Sequence, residues 1–62
     1  MMLIAEKEGH KVAKIHGPYQ AEYVLEYRNP GSFQVRRVSR SNLRSLQVLA
    51  ELVYTGLVWK GG

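Results

Sequence analysis

The 62-residue chain contains no cysteine and no aspartate, and only two prolines, one phenylalanine and one tryptophan. Each shortage excludes something. Without thiols no disulfide can staple the fold and no thiolate zinc site can form. His10 and His16 supply at most half a metal site, so neither a metal nor a cofactor is expected. A chain this short buries about 60% of the surface its unfolded form exposes. Its stability must come from one well-packed core, from self-association or from a partner.

Long apolar runs are also missing. The most apolar stretch, residues 46–59, is broken by Gln47, Glu51, Thr55 and Gly56 and is too short to span a bilayer. Residues 1–6 lack a basic flank and turn acidic too early for a secretory leader. The expectation is one small domain, residues 1–62, in the cytoplasm, with no membrane partner.

What the chain does have is positive charge. Nine Lys and Arg stand against five Glu, a formal net charge of +4. An excess of this size in so few residues points toward a polyanionic partner.

Three turn signals divide the first half: Glu8-Gly9-His10, Gly17-Pro18-Tyr19 and Arg28-Asn29-Pro30-Gly31-Ser32. They leave strand candidates at residues 2–7, 11–16, 20–27 and 33–38. In the third, Ala21, Tyr23, Leu25 and Tyr27 alternate with Glu22, Val24 and Glu26, the two-residue period of a half-buried strand. Folding each pair about its turn sets Leu3 opposite Ile15 and Ala5 opposite Ala13. It then sets Ile15 opposite Ala21, Ala13 opposite Tyr23, Tyr27 opposite Phe33 and Leu25 opposite Val35. In that register one face is wholly apolar, with Tyr23, Leu25, Phe33 and Val35 beneath whatever covers it.

The second half changes period. Ser41 or Asn42 can cap a helix, and Leu43, Leu46, Leu49, Ala50, Val53 and Tyr54 follow along one stripe. Gly56 is placed to end it in a left-handed turn, with Leu57 folding back onto Leu52. Residues 57–60 read as a short strand or tail. The predicted architecture is α+β: a four-stranded antiparallel meander, one C-terminal helix on its apolar face, and a short C-terminal strand or tail.

Catalytic chemistry finds little support. Glu22 and Glu26 share a solvated strand face, and Ser39, Ser41 and Ser45 have no neighbouring histidine in sequence. No phosphate loop or nucleophile elbow occurs. His16, just before Gly17-Pro18, reads as a surface residue flanking a turn. A chain of this length also makes a poor water-excluding pocket, so a binding role is expected rather than an enzyme.

The most unusual local feature is the run Arg36-Arg37-Val38-Ser39-Arg40-Ser41-Asn42-Leu43-Arg44. Cations at a helix N-terminus oppose its partial positive charge, so this is the wrong end for stability. It is a suitable end for holding an anion. Arg36, Arg37, Arg40, Ser41 and Arg44 are the candidate nucleic-acid-binding residues, assisted by free backbone N–H groups. Continued alternation past Val35 would turn Arg37 into the core, so a bulge near Arg36-Arg37 is expected to turn it outward. Tyr23, Tyr27 and Phe33 have the chemistry of a base-stacking platform, but they occupy the face the helix needs. The other sheet face, with Glu6, Glu22 and Glu26 against Lys14 and Arg36, is close to neutral.

A second stripe, Val48 and Leu52 with Trp59 extending it, points away from the core, and Val12 and Val24 add aliphatic surface on the outer sheet. Val48, Leu52 and Trp59 are the candidate partner interface, for a homodimer or another protein. The leading expectation is therefore a small accessory module binding DNA or RNA through the arginine cluster. The alternative is a protein-interaction module, an inhibitor or adaptor, whose arginines hold an acidic protein surface and whose helix stripe or sheet edge docks the partner.

Overall fold

The computed structural model describes residues 1–61. Strands β1 (Met2–Lys7), β2 (His10–Tyr19), β3 (Glu22–Arg28) and β4 (Val35–Arg40) are followed by helix α1 (Leu43–Val53) and strand β5 (Val58–Gly61). They form one antiparallel sheet in the order β4-β3-β2-β1-β5, with the helix packed across β2, β3 and β4. This is the α+β architecture read from the sequence, and its last segment is a strand that pairs with β1. No helix among the described residues is long and apolar enough to cross a membrane.

The first hairpin follows the sequence closely. Glu8 and Gly9 both take positive φ, at 52° and 80°, the mirror-image turn that matches strand twist. Leu3 faces Ile15 and Ala5 faces Ala13, as alternation requires. A register shift at Ala5/Glu6 leaves Val12 without a direct opposite. That bulged residue packs against the core instead of lying free on the outer face.

The second hairpin departs from expectation. Gly17-Pro18 does not turn the chain; β2 runs through it to Tyr19, and the turn falls at Gln20 and Ala21, with φ of 51° and 68°. Ile15 therefore faces Leu25 and Ala13 faces Tyr27, four residues from the predicted pairing. The shift is even, so the faces are preserved. Gly17-Pro18, joined by a cis peptide bond, is taken up as an irregularity between His16 and Tyr19. Gly17 is buried at φ 129°, and a Cβ there would lie 3.1 Å from the Glu22 carbonyl oxygen and 3.3 Å from the Tyr23 Cα. Only glycine lets the two strands approach this closely.

The third connection changes more. The loop runs from Asn29 to Gln34, so Tyr27 faces Arg36 and Leu25 faces Val38. That is an odd displacement of three residues, and it inverts β4. Val38 takes the inward position expected of Val35; Val35 is 42% exposed and Phe33 95% exposed. Arg37 points outward by ordinary alternation, and the register of β4 is unbroken, so no bulge is needed to explain it.

The helix begins where the capping signal lies, and Asn42 rather than Ser41 is the cap. Its Oδ1 accepts from the backbone N–H of Arg44 at 2.9 Å and of Ser45 at 3.4 Å. The helix ends at an extended Tyr54, whose hydroxyl donates to the Arg28 carbonyl and ties the helix end to β3. Gly56 does take positive φ, but in the connection beyond that cap. Leu57 packs on the core, while Leu52 stays 79% exposed.

The buried centre is Ala5, Ala13, Ile15, Leu25, Leu46 and Ala50. Three of the six are alanines, which let the helix settle close to the sheet. Ile15, Leu25 and Leu46 supply the volume, each worth about 1.5–3 kcal/mol when fully buried.

Candidate nucleic-acid interface

Edge strand β4 carries three of the four candidate arginines, and its inverted register decides where they go. Arg36 and Arg40 pair with Tyr27 and Tyr23, on the face that holds Leu25 and the helix. Arg37 pairs with Glu26 on the opposite face, where its Nε lies 3.6 Å from Glu26 Oε2. The strand thus presents Arg36 and Arg40 together and separates Arg37 from them. All three are exposed.

Arg36 and Arg40 form no ion pair among the described residues. Arg40 Nη1 instead donates to the Ser39 carbonyl at 2.7 Å, along its own strand. Arg44, in the first turn of α1, lies 3.6 Å from Glu51 Oε2 on the same side of the helix. The first turn contains no acidic side chain that would offset these charges. Ser41 is exposed and precedes the cap.

The helix N-terminus is less open than the sequence suggested. Asn42 already occupies the N–H groups of Arg44 and Ser45, two donors that an incoming anion would otherwise meet. The positive character of this region therefore rests on guanidinium groups along the β4 edge. Arginines on an edge strand also discourage pairing with a second sheet.

Of the expected partner-interface residues, Val48 is 41% exposed and Leu52 more so. Trp59 is placed differently. It pairs with Ala5 across β1 and β5, packs against the core, and donates from Nε1 to Glu51 Oε2 at 3.1 Å. Its indole is a flank of the core with its polar edge satisfied.

The outer sheet face contains an arrangement the sequence does not announce. His16 is not a surface residue beside a turn but a half-buried strand residue with both ring nitrogens engaged. Nε2 meets Glu26 Oε1 at 2.5 Å, and Nδ1 lies 2.9 Å from the Tyr19 hydroxyl. The two rings meet edge to face, 5.3 Å between centroids. Lys14, not Arg36, faces Glu26 on this side, and Glu22 faces Tyr19. Burial raises the Glu26 pKa, but the His16 hydrogen bond and the charges of Lys14, Arg37 and His16 outweigh it. The net result lies below the ordinary carboxylate range. A signal for this contact existed only in the pairing, since His16 and Glu26 are ten residues apart.

A wide-mouthed concavity of about 730 Å³ opens beside the Asn29–Ser32 turn; its walls include Lys14, Glu26, Arg28, Val35 and Tyr54 but neither His16 nor Tyr19. Among the described residues, no group of three or more His, Cys, Asp or Glu is placed to hold a metal ion. Comparison of the chain with protein-family models, with curated proteins and with solved structures finds no match in any of the three.

Proposed function

We propose that the protein is a small accessory module that binds nucleic acid by its phosphates, using Arg36 and Arg40 with support from Ser41 and Arg44. One observation carries this reading. Arg36 and Arg40 stand on one side of an exposed edge strand, unpaired among the described residues, just before a helix whose first turn has no acidic side chain. Guanidinium groups match phosphate oxygens in bidentate geometry, and such contacts hold the backbone without reading base sequence.

Fluorescence anisotropy with a random duplex, a single strand and an RNA hairpin at two salt concentrations tests it. Binding should weaken with salt, and replacing Arg36 and Arg40 with glutamine should flatten the log–log slope by about one unit for each phosphate no longer held. Absence of binding to all three at physiological salt rejects the reading.

A second reading is a protein-interaction module, including a homodimer or an acidic protein partner. It is favoured by the exposure of Leu52 and Val48 on one helix stripe. Sedimentation across a wide concentration range separates a self-associating chain from a monomer.

A further inference from the structure

Phe33 is 95% exposed, the most exposed of the large hydrophobic side chains. Its chain neighbours are hydrogen-bonded on both sides. Ser32 N–H donates to the Asn29 carbonyl at 2.9 Å, closing a turn in which Gly31 takes φ 79°. On the other side, Gln34 N–H donates to Ser32 Oγ at 3.2 Å, and β4 begins one residue later. The residue is thus bracketed by hydrogen-bonded neighbours while its ring stays in water. Core packing does not account for it, because the β4 register gives the inward position to Val38.

Phe33 also precedes in the chain two arginines that form no ion pair among the described residues. Arg36 follows three residues later and Arg40 four beyond that, the two arginines sharing one side of β4. At about 3.3 Å per strand residue the two guanidinium stems leave the backbone roughly 13 Å apart. An exposed aromatic at the head of a row of cations is the chemical pattern of single-strand recognition. Aromatic rings stack on unpaired bases while cations follow the phosphates, and stacking is tolerant of sequence because every base has a π-face.

We propose that the ligand of this edge is single-stranded nucleic acid, with Phe33 stacking on one unpaired base and Arg36 and Arg40 holding phosphates beside it. This rests on the reading that the arginines hold phosphates. It adds a preference for single strands over duplex, in which base faces are covered by their neighbours.

The test is anisotropy with labelled short oligonucleotides of one mixed sequence, as single-stranded DNA, single-stranded RNA and blunt duplex, at two salt concentrations. The unmodified chain, Phe33→Ala, Phe33→Trp and the double variant Arg36→Gln/Arg40→Gln are compared, with circular dichroism to confirm folding. Single strands should bind more tightly than duplex. Phe33→Ala should weaken single-strand binding by roughly 5- to 150-fold, leaving duplex affinity and the salt slope unchanged, and Phe33→Trp should restore it. The arginine variant should flatten the salt slope for every oligonucleotide. The DNA and RNA arms identify which single strand is preferred. Duplex binding equal to single-strand binding, with Phe33→Ala silent, overturns the stacking role and leaves the phosphate reading in place. Equal weakening on duplex and single strand also overturns it. No binding to any oligonucleotide overturns both readings and leaves Phe33 as a contact for a protein surface.

Discussion

Glu26 and His16 meet across the β2–β3 pair, Oε1 to Nε2 at 2.5 Å, on the sheet face that the helix does not cover. Their side chains are only 17% and 20% exposed, so water competes weakly for the contact. Glu26 is shared further, its second oxygen lying toward Arg37 and Lys14 facing it from β2. The contact thus ties the central strands to the edge strand that carries the arginines.

This contact sets a pH dependence. Glu26 has a folded-state pKa below the ordinary value of 4.5, because the hydrogen bond and neighbouring cations together exceed the opposing effect of burial. A lowered folded pKa contributes stability above the unfolded value, and that contribution is lost as pH falls through the folded value. Glu26→Gln should therefore melt at a lower temperature than the unmodified chain at pH 7. The difference should shrink as pH falls below about 4.5. Thermal unfolding followed across that range checks it, and a gap that stays constant with pH would show that ionisation is not its source.

The register of β4 makes a second prediction. Leu25 is fully buried opposite Val38, while Phe33 lies in water. Leu25→Ala should cost about 2–5 kcal/mol, enough to leave a domain of this size largely unfolded. Phe33→Ala should change stability by no more than about 0.5 kcal/mol. Urea denaturation of the two variants compares them directly. A large destabilisation by Phe33→Ala would contradict the register.

Gly17 supplies a third. A Cβ at this position meets backbone atoms on three sides at 3.1–3.3 Å, in a conformation at φ 129° that other residues rarely adopt. Gly9 also has positive φ, at 80°, but a Cβ there meets nothing within 4 Å. Gly9→Ala should cost about 1–2 kcal/mol from backbone strain alone, and Gly17→Ala should cost more because the β2–β3 pair must also move apart. Equal destabilisation of the two variants in chemical denaturation would remove the argument for close approach.

Much of the fold was legible because local chemistry and pairing agree. The Glu8-Gly9 turn sits between segments of matching pattern, so Leu3/Ile15 and Ala5/Ala13 follow directly. Asn42 was one of two possible caps, and Leu46 and Ala50 fall where the helical period puts them. The second hairpin was obscured by a false punctuation mark. Gly17-Pro18 has turn composition but lies within a strand, while Gln20 and Ala21, which make the turn, carry no preference for positive φ.

The candidate site was legible in composition and illegible in placement. The arginines are plain in the sequence, but which face each occupies depends on the length of the Asn29–Gln34 loop, and one residue of register exchanges the faces. Trp59 shows the same limit from the other side. Its position in sequence suggested a surface stripe, whereas pairing of β5 with β1 turns it onto the core beside Ala5.

By itself, the sequence determined the class of fold, the order of strands and helix along the chain, the absence of thiol chemistry and the excess of positive charge. These depend on composition and on periods of two and three to four residues, which act over short distances. Only the tertiary structure decided that β4 is inverted, that Phe33 stands in water, and that His16 meets Glu26. Those facts depend on which strands hydrogen-bond and in what register, and that choice is made by the whole core at once, through Val38 rather than Val35 filling the space under the helix.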